Sequence, residues 1–86
     1  MTDRVTLRVR MHDTWDDITL SLPAATPVGA VKQQVLDMVG EQDAPDQFVV
    51  KFRGIEVRNE AASLADADIP DGAALIVLRR RRRAIR

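Results

Sequence analysis

"TPVGAVKQQVLDMVG", residues 26–40, is the stretch on which the fold turns. Val28, Val31, Val35 and Val39 recur every three or four residues, joined by Leu36 and Met38. That spacing predicts an amphipathic helix. Both ends carry matching signals: Thr26 suits the N-cap, Pro27 the first helical position and Gly40 the left-handed residue just past the last turn. Upstream the period changes to two. Val5, Leu7, Val9 and Met11 alternate with Thr6, Arg8 and Arg10, and Ile18, Leu20 and Leu22 alternate with Thr19 and Ser21. These are two half-buried strands, with the polar HDTWDD of residues 12–17 as the loop of an antiparallel hairpin.

Downstream, EQDAPDQ reads as a loop leading into FVVKFRGIEV, residues 48–57. Phe48, Val50 and Phe52 share one side of a strand there, and Val49 and Lys51 share the other. Gly54 lets the chain turn tightly into Ile55–Val57, a second, short hairpin. In the connection that follows, Leu64 and Ile69 are placed to plug the core edge, and Pro70, Asp71 and Gly72 form a turn. Leu75 and Val77 then face inward on a last strand while Ile76 and Leu78 face outward. Hairpin, helix and further strands predict an α+β domain, one helix packed across a mixed sheet of four to five strands. The first and last strands are expected to be its parallel centre.

With 86 residues, the chain has room for one small domain. It contains no cysteine, so disulfides and thiolate metal sites are excluded and packing must supply the stability. No run approaches the roughly 18 apolar residues of a membrane span, and the first residues lack the apolar stretch of a signal peptide. A cytoplasmic protein is the expectation. Net charge is zero, yet residues 79–86 hold six of the thirteen basic residues and no acid. Residues 1–78 therefore keep seven basic residues against thirteen acidic ones, a balance of −6. The division expected is a domain over 1–78 and a basic tail over 79–86.

The residues offer no catalytic constellation. His12 is the single histidine, without the partners that a triad or a zinc site needs. Asp13, Asp16 and Asp17 match no calcium loop, and Asp66, Asp68 and Asp71 read as turn residues and caps. No metal, cofactor or enzymatic activity is expected. Trp15 has two readings, a residue packed on the sheet edge or an exposed anchor for a partner, since tryptophan is enriched at interface hot spots. Val49, Ile76 and Leu78 around Lys51 and Arg53 form a candidate protein-binding patch on the outer face of the sheet. Arg79, Arg80, Arg81, Arg82 and Arg83 have three readings. They are a solvated tail, a contact to an acidic protein, or a contact to nucleic acid or anionic lipid. The last is disfavoured because the body is acidic, no aromatics interleave with the arginines, and Ile85 is a poor apolar anchor.

Several segments resemble ubiquitin-like β-grasp domains over about residues 4–80. TPVGAVKQQVLDMVG is similar to the ubiquitin helix, with Lys32 on its helix lysine. PDQFVVKFRG resembles the Pro-Asp-Gln loop and third strand, and SLADADIPDGAALIVLR the segment before the last strand and that strand. ITLSLPAATPVGAVKQQVLDMV and IPDGAALIVL also resemble small bacterial ubiquitin-like proteins of type VII secretion and the ubiquitin-like head of that system's membrane component. The resemblance implies a non-covalent protein-interaction module. Conjugated modifiers and sulfur carriers of this family end in Gly-Gly, whereas this chain carries Arg82, Arg83, Ala84, Ile85 and Arg86. Ubiquitin's partner patch centres on an isoleucine whose position is Lys51 here. The expected function is non-covalent binding through Trp15, Val49, Lys51, Ile76 and Leu78. The alternatives are a modifier or sulfur carrier, and a nucleic-acid or membrane adaptor through the arginines.

Overall fold

A computed structural model describes residues 3–11 and 16–80. Two strands, β1 (Arg4–Met11) and β2 (Asp16–Pro23), precede the helix α1 (Val28–Val39). A short 3-10 turn (Pro45–Gln47) leads into β3 (Phe48–Phe52), β4 (Ile55–Glu56) and finally β5 (Ala74–Arg79). The five strands form one mixed sheet in the order β2-β1-β5-β3-β4. β1 and β5 are its parallel centre, and the neighbouring pairs are antiparallel.

Alternation determines what the sheet buries. Val5, Leu7, Val9 and Met11 of β1 and Leu75 and Val77 of β5 point to the helix side and are buried. Phe48 and Val50 of β3 join them, as do Leu64 and Ile69 from the long connection. The helix closes this core with Val28, Val31, Val35 and Leu36. Met38 departs from expectation: it is 56% exposed, because position 38 lies off the 28, 31, 35 and 39 stripe. Lys32 lies on the stripe and is buried instead, only 3% exposed.

The helix N-terminus also differs from expectation. Helical residues begin at Val28, Pro27 is the extended cap residue, and no side chain caps the end. Thr26 is not needed there. The Val28 and Gly29 N–H groups donate to the Ala62 and Glu60 carbonyls at 3.0 and 2.8 Å. A neighbouring loop thus supplies the acceptors that an N-cap side chain would otherwise provide. That loop sits so close that a Cβ on Gly29 would meet Glu60 atoms at 3.3 Å. The other end follows expectation. Gly40 is left-handed at φ 77°, Gly40 N–H donates to Asp37 O, and Glu41 N–H donates to Leu36 O. That pair of bonds is the Schellman closure.

Between β3 and β4 the loop is two residues, Arg53 and Gly54, at φ 57° and 80°. Positive φ at both is the type I′ geometry, whose twist matches the strands. Arg53 accepts that strained backbone while its guanidinium lies 4.9 Å from the Phe52 ring centre.

Candidate functional site

The outer face of the sheet, opposite the helix, carries most of the residues that the sequence marks as a candidate patch. Register places Arg4, Thr6, Arg8 and Arg10 of β1 on this face, since the alternate residues are in the core. Ala74, Ile76 and Leu78 stand beside them on β5, and Val49 and Lys51 on β3. Cross-strand partners bring these residues together: Ile76 lies opposite both Arg10 and Lys51, and Leu78 lies opposite Val49. Lys51 is also paired with Glu56 of β4.

Exposure across the face is uneven. Ile76 is 40% exposed and Leu78 is half-buried. Val49 corrects the expectation of a surface contact: it lies on this face but is only 6% exposed. It stands directly across the ladder from Leu78. Val49 therefore offers little surface to a partner. Trp15 lies outside the described residues.

Two hollows flank Ile76. One, about 260 Å³, is lined by Arg8, Arg10, Asp17, Ala74, Leu75 and Ile76. The other, about 480 Å³, runs past Lys51, Arg53 and the turn at Pro70–Gly72. Arg10 Nε donates to Asp17 Oδ1 at 3.0 Å and Arg10 Nη2 to Asp17 Oδ2 at 3.3 Å. The Arg10 hydrogen bond holds the Asp17 carboxyl below the usual carboxylate range; the charges of Arg10 and Arg8 add to this, and desolvation opposes it. A carboxylate with a depressed folded pKa stabilises the fold above its unfolded value, about 3.9. That contribution is lost as pH falls through the lower folded value. NMR titration should place Asp17 below the usual aspartate value, and Arg10→Ala should return it toward that value.

The first arginines of the run belong to the fold. Arg79 ends β5 and pairs with Phe48. Its guanidinium lies 4.8 Å from the Phe48 ring centre and donates to Asp43 Oδ2 at 2.6 Å, with Glu41 at 3.6 Å. Arg80 N–H donates to Gln47 O at 2.7 Å, and its Nε to Asp46 O at 3.2 Å. Arg81, Arg82 and Arg83 lie outside the described residues. Alternation along β5 was the available signal for Arg79: it has the inward parity of Leu75 and Val77.

Sequence reasoning missed the polar centre behind the sheet. Lys32 Nζ donates to Phe48 O at 2.9 Å and contacts both Glu60 carboxylate oxygens, at 2.8 and 2.9 Å. It ties helix, β3 and loop together. Its place on the helix stripe was the signal.

No family model matches the chain. Among solved structures, a ubiquitin from Caldiarchaeum subterraneum superposes with TM-score 0.77 at 18% identity, covering 92% of this chain and 96% of that one. The ubiquitin-like domain of tubulin-binding cofactor B gives 0.79 at 20% identity, with 92% of each chain covered. The chain has the ubiquitin-like β-grasp fold. A curated sequence is also similar to this ubiquitin-like domain: the ESX-4 secretion system protein EccD4 of Mycobacterium tuberculosis, 30% identical over 74 residues. The match takes in 81% of this chain and spans 16% of that protein's length. Among the described residues, no helix of the ubiquitin-like domain is long and apolar enough to cross a membrane.

Proposed function

We propose that this ubiquitin-like domain is a non-covalent protein-interaction module that binds through the outer face of its sheet. One observation carries the reading: Ile76 stands exposed between two hollows and beside Leu78, at the centre of a sheet face rimmed by Arg8, Arg10 and Lys51. An apolar centre with a charged rim is the anatomy of a protein interface. Similarity to a stretch of an ESX-4 secretion protein supports a role in type VII secretion, as an accessory or as a domain of a secretion component. The conjugated-modifier reading is weaker, because β5 leads into arginines and the sequence contains no Gly-Gly pair. The nucleic-acid and membrane reading is weaker too, because Arg79 and Arg80 make contacts within the domain.

The test is affinity capture of the tagged chain from its bacterial host, alongside an Ile76→Ala/Leu78→Ala double variant. Wild type is expected to co-purify secretion-system components that denaturant releases. The double variant should weaken that association about tenfold or more, the usual effect of losing a central apolar anchor. Adducts that survive denaturation would support conjugation instead, and equal capture by the double variant would remove the sheet face from the reading.

A further inference from the structure

The charges of this domain are sorted by side. Of the seven basic residues in 1–78, Arg4, Arg8, Arg10 and Lys51 lie on the outer sheet face. Of the thirteen acidic residues, register places Asp17 and Glu56 there among the described residues, and Asp71 lines the larger hollow at its edge. Asp37 lies on the helix, Glu41, Asp43 and Asp46 on the segment after it, and Glu60 beside its N-terminus. A chain whose body is net negative thus turns a net positive face outward from its sheet. Asp17 is already paired with Arg10. Arg8 is exposed, lines the smaller hollow next to Ile76, and makes no ion pair among the described residues.

We propose that this face takes an acidic protein segment with one apolar side chain at its centre. The apolar side chain sits on Ile76 and Leu78. Its flanking carboxylates meet Arg8 on one side and Lys51 on the other. The proposal rests on the sheet-face reading above and adds the chemistry of the partner. Charge complementarity of this kind steers association and selects among partners. A protein segment fits better than a nucleic acid. The centre of the face is aliphatic, and Phe48 is buried in the core, unavailable for stacking against bases. Asp17 and Glu56 would also oppose a continuous run of phosphates.

The test uses the full chain and three short synthetic peptides: one with a leucine flanked by glutamates, one with glutamines in their place, and one with serine for leucine. Fluorescence anisotropy at low salt reads affinity, and amide shifts read the surface. The glutamate–leucine peptide is expected to bind about tenfold or more tightly than either control, and to weaken as salt rises. Shifts should centre on Arg8, Lys51, Ile76 and Leu78. Arg8→Glu and Lys51→Gln should each remove most of that binding while leaving the thermal melt in place. Equal binding by the glutamine or serine peptide would overturn the proposal, as would tighter binding of a single-stranded oligonucleotide on this face. The two readings fail separately. If Ile76→Ala/Leu78→Ala loses the host partner but Arg8→Glu keeps it, the sheet-face function stands and the acidic partner falls.

Discussion

Glu60→Ala is expected to lower the unfolding free energy by about 3 kcal/mol, with an unchanged urea m-value, because it strands a buried ammonium. Lys32 is 3% exposed, and its Nζ has Phe48 O and the Glu60 carboxylate as partners. Removing Glu60 leaves one carbonyl to balance a full charge. Breaking a fully buried pair costs roughly 3–5 kcal/mol, and the low end applies because the Glu60 side chain is itself 28% exposed. Lys32→Met should cost less, about 1–3 kcal/mol, since it removes the charge but leaves the Phe48 carbonyl without its donor. The double variant Lys32→Met/Glu60→Ala should lose less than the sum of the two, because the groups are directly coupled. A loss under about 1 kcal/mol in Glu60→Ala would mean that water reaches the ammonium and the pair is not holding the fold.

Phe48→Ala should bring the domain close to unfolding. The ring is fully buried, sits in β3 against the helix, and is covered by Arg79. Truncating such a ring costs about 3–5 kcal/mol, and the loss of the Arg79 contact adds to it. A domain of this length holds only about 4–13 kcal/mol in total. Ile76→Ala, on the opposite face of the sheet from Phe48, should cost far less, under about 1 kcal/mol, because much of that side chain already faces water. Thermal melts of both variants check the contrast. It matters for the function: variants of the outer face report on binding, whereas variants of the inner face report on folding.

Much of this was legible in one dimension. A period of two names strands and the face each residue takes, so Leu75 and Val77 could be assigned to the core and Ile76 and Leu78 to the surface. A period near 3.6, closed by Gly40, names the helix. The parallel pairing of first and last strands followed from element order. These features depend on neighbours a few residues apart, which is the range that pattern reads. The helix start was displaced by one residue because its acceptors came from Glu60 and Ala62, more than 30 positions downstream. Val49 was assigned to the correct side, but its burial, at 6% exposed, is not something that alternation reads.

Local order, then, was written into the chain: where it alternates, where it coils, and which side of each strand is apolar. Tertiary structure alone decided the long-range polar assignments. Lys32 found Glu60, Arg79 left the basic run to cover Phe48, and four basic residues gathered on one face of a sheet although residues 1–78 are net negative. The reason is physical. Burial follows from hydrophobicity, which each residue carries with it, whereas the partner of a charge is whatever group the fold brings within about 4 Å of it.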